Sequence, residues 1–454
     1  MKEGYRAIYS ICLVECDSMI SKTFQRWRPI SISLSPNTEQ DDVWLAFQLL
    51  FQPWRWRESV PHEQSAANIL EEECKKYFGA RHAISFNSAR SALMAILYAL
   101  GLEKGSEVLL QAFTCNAVPN PVIWSGLKPV YVDCREDDFN IDGEDLESKI
   151  TPSGRAVIVQ HTFGLPADLD KIREICRKHN LLLIEDCAHA LGAKYRGRVV
   201  GTWGKAAFLS FSRDKVISSV YGGMAVTNDD ALAEKIKEFQ EKAGYPSLFW
   251  IFQQLLHPVL MNWKILPTYR ILGKYLLVVA QQLHLLSKAV HWKEKRGMKP
   301  AYFPRRMPNA LALLALKQFQ KLDRLNEHRK EVARYYTQAL QATSFELPKH
   351  FEEREHIFLR FPLKHPRAHA IIKNAWSNNV LIGDWYTSPI APADTQMEKI
   401  GYVGGSCPTA ERLSKVVLNL PTHINISKKE MEQILATMVE FAREKENGKA
   451  SRAS

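Results

Sequence analysis

The sequence predicts an α/β protein, with a large domain built on a mainly parallel sheet and a smaller α+β domain towards the C-terminal end. Three observations predict it. From His82 to Asn228, short runs rich in Val, Ile and Leu alternate with longer amphipathic stretches. Those runs are apolar throughout, as strands covered on both faces are, and do not alternate apolar with polar. The 454 residues, 46% of them hydrophobic, suffice for one large core and a second, smaller one.

Taken in order, "HAISF" reads as a strand and precedes a helix-like "SARSALMAILYAL". The strands "EVLLQAF", "KPVYVDC", "RAVIVQHTFG", "LLLIEDCAHALGA" and "AAFLSFS" follow. Between two of them "DLDKIREICRKHN" is a helix, with Leu169, Ile172 and Cys176 on one face and Asn180 at its end. Strands linked by helices make a parallel sheet, and ligands bind beyond the carboxyl ends of such strands. Asn309 to Leu340 reads as one long amphipathic helix or a kinked pair leading to "IFLRFPL", "AHAIIKNAWSNNV", "SCPTAERLSKVVLNLPTH" and "SKKEMEQILATMVEFA". The expected organisation is a poorly structured extension over 1–35, a large domain over 36–325 with a helical insert at 245–300, a small domain over 326–445 and a disordered tail over 446–454.

Composition excludes several classes. The eight cysteines form no repeated CxxC and no cluster of zinc spacing, so no metal site is expected and the chain reads as a reduced, cytoplasmic protein. The N-terminal stretch has neither a long apolar core nor a small-residue cleavage site, unlike a signal peptide. The net charge of +11 suggests nucleic acid until its distribution is examined. Eight Lys and Arg against the single acid Glu294 lie between Tyr245 and Pro300, so seven of the eleven net charges belong to one segment. The rest is nearly balanced and carries no nucleic-acid motif.

Three strand ends carry chemistry. In "SFNSARSAL" a strand ends and Ser88, Ala89, Arg90 and Ser91 open a helix, whose free amides and dipole suit a phosphate, with Arg90 adding charge. In "LLLIEDCAHALGA" Glu185 and Asp186 close an apolar strand and His189 follows; a carboxylate placed there needs a partner, and a cationic ring nitrogen is suitable. In "SFSRDKVISSVYGG" Lys215 follows another strand, with Ser210 and Ser212 beside it to take an anion and Gly222–Gly223 to turn the chain. Read singly, these are a capped turn, a second cap and a loop charge. Together they supply a phosphate cup, an acid for a ring nitrogen and a lysine for an aldehyde, the requirements of pyridoxal phosphate (PLP).

From Arg81 to His423 the chain resembles the DegT/DnrJ/StrS sugar aminotransferases, which are fold-type I PLP enzymes. The matching runs are "NSARSAL", "FNIDGEDLESKITP", "HTFGLPADLDKI", "LLIEDCAHALGAKYRGRVVGTWGKAAFLSFSRDKVISSVYGGMAVTND" and "CPTAERLSKVVLNLPTH". The resemblance implies that Lys215 is the covalent cofactor lysine, that Asp186 partners the pyridine nitrogen, and that His189 lies near the ring hydroxyl. It further implies that Ser210 and the Ala89–Arg90 turn hold the phosphate. It implies a homodimer with shared sites, and amino transfer from glutamate to a keto sugar carried on a nucleotide, in surface polysaccharide or glycoconjugate synthesis. Lys215 argues against the dehydratase branch, which has histidine there. Two positions depart from the pattern. Cys115 stands where an aromatic stacks on the cofactor, which shifts that role to Phe113. Pro304 stands at the Asn of a GxNxR stretch that reaches the neighbouring site, leaving Arg305 or Arg306 to substitute. A member that has lost turnover and serves as a membrane-associated partner is the alternative.

The insert carries Leu248, Ile251, Phe252, Leu255, Leu256, Val259, Leu260 and Trp263 at helical spacing, with Gln253, Gln254, His257 and Asn262 elsewhere on the wheel. "YLLVVAQQLHLLSKAV" has a similar stripe. An apolar face with surplus cations suits a helix lying on an anionic membrane, and contact is expected over 248–290; a hairpin packed on the enzyme or its dimer partner is the other reading. Pro258 and paired glutamines interrupt any span.

Overall fold

The computed structural model describes residues 28–57 and 64–450. Seven strands form the central sheet: β1 (His82–Phe86), β2 (Glu107–Gln111), β3 (Lys128–Val132), β4 (Gly154–Gln160), β5 (Leu182–Asp186), β6 (Ala206–Ser210) and β7 (Gly223–Thr227). They lie in the order β1-β7-β6-β5-β4-β2-β3. β7 runs against its neighbours β1 and β6, and the pairs from β6 to β3 are all parallel. Side chains alternate along each strand, so Val157 and Val159 enter one core and Ile158 the other. Both faces are covered, which is why the runs read as continuously apolar.

In chain order, α1 (Gln40–Leu50) and α2 (Ala66–Phe78) cover one face and α3 (Ala89–Leu100) the other; α4 (Leu169–Lys178) returns to the first and α5 (Asp230–Ala243) to the second. α4 matches its sequence pattern, with Leu169, Ile172, Ile175 and Cys176 buried and Asp168 capping it. The insert follows as α6 (Leu248–Leu260), two wide π turns and α7 (Lys274–Gln282). Asn309 to Leu340 is the kinked pair: α8 (Asn309–Phe319) and α9 (Leu322–Leu340). α9 begins in the large core with Leu322 and Leu325 and ends in a separate core with Val332, Tyr336 and Leu340. That second core is built on an antiparallel pair, Arg360–Lys364 with Val417–Pro421, together with α10 (Ala368–Ser377) and α12 (Lys428–Ala450); α11 (Pro408–Val416) packs back on the large domain.

Two expectations at the ends are corrected. Ile30–Ser31 is a strand paired with Val380–Leu381, so residues 28–35 are held against the small domain by backbone hydrogen bonds and are not a loose extension. Residues 1–27, with Cys12 and Cys16, lie outside the described residues. At the other end α12 continues to Ala450, through the start of the expected tail.

The insert divides in two. α6 packs on α1 and α8, and its polar wheel positions Gln253, Gln254 and His257 are buried along with Trp250, Ile251, Leu255 and Val259. Gln253 donates to the His284 carbonyl, Gln254 Oε1 accepts from Ser287 Oγ at 2.8 Å, and His257 meets Ser35. From Trp250 to Val259 the first half of the expected membrane contact is therefore mostly interior, its glutamines tying down the chain that follows, while Leu248 and Phe249 at its start stay exposed. α7 is different: only Ala280 is buried, against a small core of Met261, Ile265, Leu266 and Leu286. Among the described residues, no helix is long and apolar enough to cross a membrane.

Candidate active site

A cavity of about 290 Å³ opens at the carboxyl ends of β4, β5 and β6 and the start of α3. Lys215, Asp186, His189, Ser210, Ala89 and Arg90 all line it. Strand alternation sorts the two acids that end β5. Glu185 points away and accepts from the amides of Gly201, Trp203 and Gly204 at 2.6–2.7 Å, which fixes that loop. Asp186 points into the cavity, 3% exposed, with the Ala188 amide donating to it at 2.9 Å. Burial pushes its pKa up to about 6, against the pull of that amide, Lys215 and His161. A buried carboxyl in this state lacks a cation of its own.

Lys215 lies in the loop between β6 and β7. The loop is closed at its base by the Phe211 amide donating to the Gly222 carbonyl at 2.9 Å, and Asn37 holds the Lys215 carbonyl. The Lys215 Nζ sits 4.4 Å from the Trp385 ring centroid. Burial lowers its pKa and the nearby Arg360 adds to this, while Asp214, Cys115 and Asp186 oppose it. Asp214, on the neighbouring position, pairs with Arg360 at 3.3 Å. Ser210 Oγ donates to Ser212 Oγ at 3.2 Å on the same wall.

α3 begins with Ser88 in extended geometry, its hydroxyl taking the Ser91 amide at 3.1 Å. The amides of Ala89 and Arg90, which have no partner within the helix, are left at the cavity wall. Gly223 explains how this turn comes so close to the lysine loop. A Cβ there would lie 2.3 Å from the Ala89 nitrogen, so only glycine admits the contact. Gly222–Gly223 is expected from sequence to turn the chain; Gly223 also clears the start of α3. Arg90 is likewise not a free charge. Its Nε pairs with Glu294 at 2.5 Å with both side chains buried, so the anion seat rests on amides and hydroxyls.

His189 is buried, stacked 5.0 Å from Trp385. The Phe163 amide donates to its Nδ1 at 3.4 Å, which leaves the proton on Nε2, facing the Tyr386 hydroxyl at 3.4 Å. Burial, with Lys215 and Arg360 nearby, holds its pKa well below the usual range, so it is neutral. Phe113 is corrected. Its backbone is left-handed (φ 65°) and turns the fully buried ring into a cluster with Phe139, Phe163 and Tyr386, away from the cavity. The aromatic wall is Trp385 and Tyr386, which sequence reading passed over although "DWYTSP" sets two aromatics in a polar loop. Arg305 donates to the Ala243 carbonyl and Arg306 lies over Tyr245; neither lines this cavity.

The insert reaches the site as well. Ala289 and Val290 line the cavity, Arg213 donates to Ser287, and the Tyr221 hydroxyl donates to the Lys288 carbonyl at 2.8 Å. With Glu294 on Arg90, residues 287–294 roof the cavity. Arg213 thus ties the lysine loop to the roof.

The donor set fits PLP. A buried acid without a cation suits a pyridinium, a deprotonatable amine suits an aldehyde, and amides beside two hydroxyls suit a phosphate. Comparison with known proteins agrees. Residues 62–249 and 279–439 match the model of the DegT/DnrJ/EryC1/StrS aminotransferase family, and the interval between them falls within the insert. A pleiotropic regulatory protein of Geobacillus stearothermophilus is 29% identical over 82% of this chain and 88% of its own length. A GDP-perosamine synthase of Caulobacter vibrioides is 42% identical, over only 37% of this chain and 45% of its own. The solved structure of Helicobacter pylori PseC, an aminotransferase involved in the biosynthesis of pseudoaminic acid, superposes with a TM-score of 0.71 at 20% identity, over 92% of this chain and all of that one. The fold is thus fold type I, the cofactor is pyridoxal phosphate, and the chain belongs to the DegT/DnrJ/EryC1/StrS aminotransferase family.

Proposed function

We propose that this sugar aminotransferase moves an amino group from glutamate to a keto sugar carried on a nucleotide, for a surface polysaccharide or similar glycoconjugate, in the cytoplasm and as a homodimer. The observation that carries the reading is the convergence of Asp186, Lys215 and the open start of α3 on one cavity. The Caulobacter relative, named for a GDP-sugar product, supports a nucleotide-linked substrate.

PLP, when bound, supplies an electron sink that makes the proton on the amino-bearing carbon removable. The chain's residues supply the rest. Lys215 Nζ would hold the cofactor's aldehyde and serve as the base and acid that moves the proton; burial lowers its pKa, which favours the neutral amine. Asp186, as a carboxylate, would keep the ring nitrogen protonated. The Ala89 and Arg90 amides with Ser210 and Ser212 would hold the phosphate, and neutral His189, whose Nε2 faces the Tyr386 hydroxyl, would lie near the ring hydroxyl. Trp385 and Tyr386 offer flat apolar surface to a sugar and help exclude water.

Purified protein is expected to absorb in the visible as a yellow enzyme and to lose that band with glutamate. Lys215→Ala is expected to lower transamination by at least about 10²–10⁴-fold, the worth of one positioned acid–base group. Unchanged turnover in that variant would sink the assignment.

A further inference from the structure

We infer that the outer face of residues 269–292 is a docking surface for an anionic lipid bilayer, and that docking sets the roof of the active site against that surface. Of nineteen exposed large hydrophobic side chains among the described residues, eight lie between Ile271 and Leu285. Ile271, Tyr275, Val278 and Val279 with Leu272, Leu276 and Leu283 follow helical spacing, so they form one stripe. Patches of this kind on an otherwise soluble surface mark an interaction site.

Charge decides between occupants. Lys264, Arg270, Lys274, Lys288 and Arg296 are exposed around the stripe, and Lys274 and Arg296 lie over the exposed rings of Tyr275 and Trp292 at 4.9 and 5.3 Å. The segment's one acid, Glu294, is turned inward and neutralised by Arg90, so it offers nothing to these cations. A second copy meeting this face about a two-fold axis would bring like charges together. An apolar stripe rimmed by cations, on a helix too short to span, matches the acyl boundary and headgroups of an anionic leaflet.

The same segment carries the roof. Ser287 is held by Arg213 and Gln254, Lys288 by Tyr221, and Ala289 and Val290 line the cavity, a few residues beyond the stripe. A bilayer under α7 therefore lies beside the mouth of the active site and restrains the roof. This rests on the cavity being the catalytic site, while the docking itself does not.

The test is flotation of the PLP-loaded, full-length protein with phosphatidylcholine vesicles, with and without phosphatidylglycerol. Binding is expected only where the anionic lipid is present, and to weaken with salt. Leu272→Glu combined with Val279→Glu should abolish it, and Arg270→Gln combined with Lys274→Gln should weaken it by about tenfold or more. These positions lie outside the catalytic cluster, so the cofactor absorbance of the variants should be unchanged. Amide exchange at 287–294 should slow on vesicle binding. No flotation on anionic vesicles, flotation indifferent to Leu272 and Val279, or dissociation of a dimer by those two changes would each overturn the docking. Docking without slowed exchange would overturn the link to the roof. Failure of the visible band to respond to glutamate would speak against the catalytic reading and leave the docking intact.

Discussion

α6 and α7 have nearly the same sequence character and opposite fates. Both are apolar stripes in a basic segment, yet α6 lies against α1 and α8 while α7 leaves all but Ala280 in reach of solvent. The difference lies outside the stripes. α6 carries Gln253, Gln254 and His257, which find partners in the residues after α7 and in Ser35, so its polar side is interior too. α7 has no such anchors. Periodicity tells that a helix has an apolar face; the partners of its polar side tell what covers it.

Four substitutions test that contrast. The largest effect is expected where the insert grips the site. Glu294→Gln leaves the buried Arg90 without its counter-charge and should cost about 3–5 kcal/mol, read as a fall in the urea midpoint. A midpoint within error of wild type would mean that the roof is not fastened there. Next, Leu255→Ala empties a fully buried position of α6 and should cost about 3 kcal/mol.

The third concerns pH. The Asp186 carboxyl titrates at about 6 in the fold and at its ordinary 3.8 when unfolded. The protonated form is thus favoured by the fold, and its contribution is complete below about pH 4 and lost as pH rises through 6. Cofactor-free protein should lose on the order of 2–3 kcal/mol over that window, and Asp186→Asn should not. A cation at the carboxylate removes the effect, so PLP-loaded protein should be flat; melting temperatures of the three samples decide it. Smallest, Val279→Ala on the exposed stripe should change stability by less than about 0.5 kcal/mol. A loss as large as that of Leu255→Ala would erase the distinction between the two helices.

Much of the site was legible because a parallel sheet gathers its strand ends. Ala89, Asp186 and Lys215 lie far apart in sequence, yet each follows a recognisable strand, and topology alone brings them together. Phe113 was not legible, since its direction is set by a single left-handed residue that neighbouring residue types do not announce. Trp385 and Tyr386 were missed because they arrive on a loop some 170 residues after Lys215, by a packing of the small domain that no local pattern encodes. Arg90 was half legible. Its place beside the helix start was clear from sequence, whereas its neutralisation by Glu294 depends on a contact between distant segments.

The Glu294–Arg90 pair also bears on how such a chain can change. Once an arginine beside the cavity is balanced by a carboxylate from a distant segment, neither can be discarded alone, because the survivor is a buried, unmatched ion. The pair is entrenched: a descendant that loses Glu294 must first replace Arg90 with an uncharged side chain. Removing the carboxylate while keeping the arginine is expected to yield protein that fails to accumulate, well before any effect on substrate choice could be seen.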